Sequence, residues 1–210
     1  MNDPIKEIQR QTQRYWYVDG LTEIGAGSLI ILLGLLYLLA EILSPGNLAD
    51  WLLSFGQPVI IIAGGLLANW VVRSLKERIT YPRTGYVAYR RERGGKRVWA
   101  ILVTFGLAVG FAIAAVYFGQ LAGERMIPVL IGLMMAGAVA YLGYTLSLRR
   151  FYLLSLVSAV FGGMGTIFEL RQNLAMALFF CAFGIAWVVS GSVTLNNYLR
   201  STQPAVEDEA

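Results

Sequence analysis

The stretch GLTEIGAGSLIILLGLLYLLAEIL, Gly20 to Leu43, decides the fold class. It is long enough to cross about 30 Å of hydrocarbon as a helix, which needs roughly 20 apolar residues. Its two carboxylates, Glu23 and Glu41, lie near its ends. Wound as a helix, steps of three and four place Asp19, Glu23, Gly27, Ile30, Gly34, Tyr37 and Glu41 on one stripe. The rest of the circumference from Leu21 onward is Leu, Ile and Ala apart from Thr22, Gly25 and Ser28. A helix of this kind turns its carboxylates and glycines toward other helices and its leucines toward lipid.

Five further apolar runs follow, at about 57–75, 98–118, 127–147, 150–168 and 174–197. Within 210 residues, 57% hydrophobic and 14% charged, with a mean hydropathy of +0.60, they leave little chain for anything else. The expected architecture is an all-α integral membrane protein, a six-helix transmembrane bundle over 20–199. Residues 1–19 form a cytoplasmic segment before it, and 200–210 a polar, disordered cytoplasmic tail. In the first segment Asp3 precedes Pro4, and Ile5, Ile8, Thr12 and Tyr15 recur at helical spacing. That pattern predicts an amphipathic helix lying on the membrane surface. No cleavage of this segment is expected, because it lacks an apolar core and the first span is too long for a signal peptide.

Cations set the orientation, since Lys and Arg resist translocation. Of the 17, all but Arg125 and Arg171 fall before the first span, between the second and third, between the fourth and fifth, or after the sixth. Both ends are therefore expected in the cytoplasm, and the positive-inside pattern suits a plasma membrane. Aromatics agree. Tyr15, Trp16, Tyr17, Trp70, Trp99, Tyr144, Tyr152 and Tyr198 mark expected inner ends, and Trp51, Phe55, Tyr117 and Phe168 outer ones. Trp187 falls mid-span, where it must be packed or lipid-facing.

Catalytic chemistry is poorly supplied. There is no histidine and one cysteine, Cys181, so histidine-based catalysis, histidine metal sites and intrachain disulfides are excluded. No cofactor is expected. Gly94-Gly95-Lys96 lacks the upstream glycine and following Ser/Thr of a phosphate loop, and Gly162-Gly163-Met164-Gly165 has no strand before it.

Candidate sites are few. Ile62, Gly65, Asn69, Arg73 and Lys76 form a stripe on the second span, and Arg73 should lie at the depth of Glu23. A buried Glu23–Arg73 ion pair is expected, flanked by Asp19, Asn69 and Glu41 as a polar stripe. Leaving either ion alone would cost roughly 2 to 4 kcal/mol, less near the interface. The alternative makes Glu23 the coupling site of a small-solute or ion transporter or channel. The structural pair is favoured, because Glu23 is near the interface and no second acid lies at midplane. Gly27, Gly34, Gly65, Gly106, Gly110, Gly162, Gly165, Gly184 and Gly191 recur at helix-contact spacings and are read as packing residues.

The cytoplasmic loop 76–97 interleaves Arg78, Tyr81, Arg83, Tyr86, Tyr89, Arg90, Arg91, Arg93, Lys96 and Arg97, and Gly94-Gly95 offers the turn of a small β-hairpin. Such a surface fits anionic inner-leaflet lipid, with a membrane or cytoplasmic protein partner as second choice. Nucleic acid is not expected, since no recognised module is present. Arg14-Tyr15-Trp16-Tyr17-Val18-Asp19-Gly20 together with Tyr81-Pro82-Arg83-Thr84-Gly85-Tyr86-Val87 resembles a group of uncharacterised bacterial multi-spanning membrane proteins. That resemblance implies a bacterial inner-membrane setting and carries no activity with it. The functional expectation is a non-enzymatic membrane component with a structural, regulatory or interaction role.

Overall fold

The computed structural model describes residues 17–43, 46–79, 117, 123 and 126–202. Among them the protein is all-helical. Helix α1 is Leu21–Ile42; α2 (Asn47–Val59), a π-helical turn (Ile60–Gly64) and α3 (Gly65–Ile79) form one continuous segment; α4 is Ile127–Leu146, α5 Arg149–Ile167 and α6 Gln172–Ser201. Counting the α2–α3 segment once, five helices are long and apolar enough to cross a membrane. Their outward faces carry Leu32, Leu35, Leu66, Trp70, Leu153 and Val189, each about half exposed or more. An apolar exterior of this extent is what a bilayer, rather than water, would solvate. The expected amphipathic helix at 1–19, the third span, Gly106, Gly110, the hairpin of the basic loop and the tail after Thr202 lie outside the described residues, apart from 17–19 and Tyr117.

The second segment differs from its expected bounds. Its helix starts at Asn47 rather than at 57, and runs to Ile79, past the expected end at 75. Pro58 lies inside it and is followed directly by the π turn. Proline has no N–H for the Ser54 carbonyl and crowds that carbonyl, so the ladder must slip locally; a wider turn is one way it does so.

Two turns of the same design join the last three helices. After α4, Ser147 takes a left-handed conformation (φ 55°) and the Leu148 N–H donates to the Gly143 carbonyl at 3.1 Å. After α5, Glu169 does likewise (φ 50°), and the Leu170 N–H donates to the Gly165 carbonyl at 2.9 Å. Each closes off carbonyls that the helix end leaves unpaired, a particular need where water is scarce.

The core lies between α4, α5 and α6, around Val139, Leu146, Phe151, Leu154, Phe179, Phe183 and Trp187. Trp187 is packed rather than lipid-facing, edge-on to both Phe151 and Phe183. Helix α1 lies against α6 through glycines seven residues apart on each helix. A Cβ on Gly27 would meet the Gly184 carbonyl oxygen at 2.7 Å, one on Gly191 the Gly20 carbonyl oxygen at 2.7 Å, and one on Gly34 the Cys181 nitrogen at 2.7 Å. Matching rising with falling numbers makes the pair antiparallel, with the two backbones in direct contact. Helices α4 and α5 use the same device once, where Gly132 and Gly162 meet, and Ser158 Oγ donates to the Gly132 carbonyl at 2.9 Å. Gly165 abuts Ala175 across the α5–α6 turn.

Gly65 behaves otherwise than expected: a Cβ there meets nothing within 4 Å among the described residues. The neighbouring Gly64 takes the contact, against Leu29 of α1. Gly27→Val should therefore lower stability by about 1 to 3 kcal/mol through overpacking. Gly65→Ala should raise it by up to about 1 kcal/mol through helix propensity. Unfolding titrations in mixed detergent check both, and equal midpoints for the two variants would refute the assignment of contacts.

Candidate functional site: a buried ionic cluster

Among the described residues, the buried polar side chains gather chiefly where α1 begins. Asp19 and Glu23, one turn apart, are both fully buried. The local fold sets Asp19 in place. Gly20 adopts φ 71° and opens α1, and Asp19 Oδ1 accepts the Leu21 N–H at 3.2 Å. Glycine is required at position 20 twice over, by that backbone conformation and by the Gly191 carbonyl, which lies 2.2 Å from where a Cβ would stand.

Each acid meets a cation from a different helix. Asp19 Oδ2 is 3.2 Å from Lys76 Nζ of α3, with both side chains almost wholly buried. Glu23 Oε1 is 2.6 Å from Arg150 Nη2 at the start of α5, and Glu23 Oε2 accepts from Ser190 Oγ of α6 at 2.8 Å. The guanidinium also donates to Thr194 Oγ1 at 2.7 Å and to the Tyr17 carbonyl at 2.5 Å. Thr194 Oγ1 in turn donates to the Ser190 carbonyl at 2.8 Å. The result is a closed circuit through α1, α5 and α6. Arg150 further lies 5.7 Å over the Phe151 ring, which Tyr17 and Trp187 meet edge-on. Burial, with the Glu23 carboxylate adding to it, pushes the Tyr17 hydroxyl above its ordinary pKa.

The expected Glu23–Arg73 pair is corrected by this geometry. Arg73 is exposed, as is Asn69, and Ile62 points outward as well. The face of α3 that meets α1 carries Gly64, Ala68, Val72 and Lys76; Gly25 of α1 abuts Val72 and Ala68. Of the expected stripe on this segment only Lys76 is buried, and its partner is Asp19. On α1, Asp19, Glu23, Gly27 and Gly34 are buried and Ile30, Tyr37 and Glu41 half-buried. Glu41 lies 3.3 Å from the largely exposed Arg171, and Gln57 donates to the Tyr37 hydroxyl. Of the basic-loop residues, Arg78 is exposed on the last turn of α3. Tyr81, Arg83, Tyr86, Tyr89, Arg90, Arg91, Arg93, Lys96 and Arg97 lie outside the described residues.

Sequence reasoning missed Arg150, which it counted only as a connecting-loop cation, Ser190, whose hydroxyl can bond to its own helix backbone, and Thr194, to which it gave no role in a site. Ser190 donates to Glu23 instead, and it is Thr194 that bonds to its own helix. A signal was present, because Arg150 opens the fifth span at the depth where Glu23 enters the first. No group of three or more metal-ligating side chains occurs among the described residues. The cluster can hold helices together and exchange protons. No family model, curated protein or solved structure matches the chain.

Breaking a buried pair leaves an uncompensated ion, at a cost of about 3 to 5 kcal/mol. Lys76→Met should show a loss of that order, and Arg150→Met a smaller one of about 1 to 3 kcal/mol, since a quarter of that side chain is exposed. Arg73→Met should stay within about 0.5 kcal/mol of the parent. Detergent unfolding of the three variants tests the order; an Arg73→Met loss matching that of Lys76→Met would contradict the pairing.

Proposed function

We propose that the chain is a six-span bacterial plasma-membrane protein, both ends cytoplasmic, with a non-enzymatic structural, regulatory or interaction role. Its basic cytoplasmic face engages anionic inner-leaflet lipid or a protein partner. The observation that supports this best is the use made of buried charge. Asp19 and Glu23 are each joined to a cation of a neighbouring helix, and α1 meets α6 backbone to backbone. Ionisable groups committed to helix association, beside an interface closed by glycine, describe a bundle built to persist. The cationic loop is then the part free to engage something else.

A second reading, a transporter or channel with Glu23 as coupling site, draws on one observation. Glu23 Oε1, Arg150 Nε and Trp187 Nε1 are buried without a hydrogen-bond partner among the described residues. Polar groups of this kind inside membranes often mark ion or proton paths.

Native mass spectrometry of the protein released from mixed-lipid nanodiscs separates the two. Anionic lipid should be retained over zwitterionic lipid, and Arg90→Gln/Arg91→Gln/Arg93→Gln should reduce that preference several-fold. Lack of preference, with no protein crosslinked to the loop in membranes, would overturn the first reading. Proton or cation flux into proteoliposomes, abolished by Glu23→Gln, would establish the second.

A further inference from the structure

The Glu23–Arg150 contact is short but incomplete. Nη2 stands 2.6 Å from Glu23 Oε1, an ionic contact that leaves Oε1 without a well-aligned donor among the described residues. The rest of the guanidinium is engaged by Thr194 and the Tyr17 carbonyl, which leaves Nε–H buried and unpartnered. Nε and Nη2 are bonded to the same carbon in a rigid fork. Oε1 and Nε are thus a carboxylate acceptor and a guanidinium donor within the span of one small molecule.

We propose that a buried water molecule bridges Glu23 Oε1 and Arg150 Nε. The occupant must donate to the carboxylate and accept from the N–H. A halide could accept, but it would face the Glu23 carboxylate and have no proton to give. A metal cation could serve Oε1, but it would face the guanidinium and leave Nε–H unmet. Water answers both at once, and buried water is the ordinary answer to polar groups that the protein leaves unpaired. Leaving both groups dry would forfeit hydrogen bonds worth far more in a low-dielectric interior than in solvent. The third buried atom without a partner among the described residues is Trp187 Nε1. Trp187 precedes Ser190 by one turn on the same face of α6 and meets the Phe151 ring over which Arg150 lies.

A consequence for chemistry follows. Glu23 is fully buried, whereas a quarter of the Arg150 side chain is exposed. The bridging water gives the buried carboxylate a hydrogen-bonded link to Arg150, the partly exposed member of the pair, so its proton exchange runs along that link. This holds whether the bundle binds lipid or moves a solute, and its failure is distinct from failure of lipid retention.

Density for the wild-type protein in nanodiscs, at a resolution that shows ordered water elsewhere, should contain a peak about 3 Å from both Oε1 and Nε. In [15N]arginine-labelled protein, the Nε signal identified by its loss in Arg150→Lys should take up magnetisation from water, and Glu23→Met should slow that uptake several-fold. Clear density for both side chains with nothing between them would overturn the proposal. So would a peak that bromide replaces, since the occupant would then be an anion.

Discussion

The bundle depends on where α1 puts its two buried acids. Asp19 and Glu23 have no exposed surface, and a carboxylate in that position is tolerable in an apolar medium only beside a cation held by hydrogen bonds. One is met from α3 by Lys76 and the other from α5 by Arg150. Helix α1 thereby becomes the common neighbour of two elements far apart in the sequence. Few alternative packings of these apolar helices would satisfy both acids, so the pairs select an arrangement that hydrophobicity leaves open. Inside a bilayer that selection matters more than in water, since lipid tails and leucines are equally apolar and burial as such favours no particular contact.

Contact along the rest of α1 is of another kind. Gly20, Gly27 and Gly34 face Gly191, Gly184 and the Ala177–Cys181 turn of α6 at backbone distance. The seven-residue period keeps each glycine close to one line on its helix. Close approach of this sort gains dispersion over the whole length and tolerates no side chain, while the ionic cluster fixes only one end. Register and intimacy thus come from different residues. The Glu41–Arg171 contact at the far end, with Arg171 largely exposed, adds little to either.

The face of α1 was legible in the sequence because carboxylates and glycines fall on one stripe against an otherwise largely apolar surface. The partner face on α3 was not. Its true contacts, Gly64, Ala68, Val72 and Lys76, follow one four-residue row, whereas the expected stripe reaches Lys76 from the row one residue further on, through Gly65, Asn69 and Arg73. The two lines share Lys76 and diverge by one residue above it, enough to turn Arg73 outward. Nor was the early start of α2 seen, since Pro45-Gly46-Asn47 and Asp50 break the apolar run that precedes Pro58. The turn between α4 and α5 was legible in position but not in consequence: the residue that looked like a topology signal, Arg150, reaches back into the bundle. A cation at a helix end has a long stem, and its head can lie inward as readily as outward.

The two pairs differ in what they permit. Asp19–Lys76 is almost wholly buried on both sides. Arg150 is a quarter exposed, holds Glu23 at an imperfect angle, and is shared with Thr194 and the Tyr17 carbonyl. A guanidinium divided among three acceptors can give up one and keep two, so the Glu23 contact can loosen without releasing Arg150 from the bundle. Any response to a proton, a voltage or a docked partner would be felt first there. The Asp19–Lys76 clamp, one turn away on the same helix, would keep α1 in register while it happened.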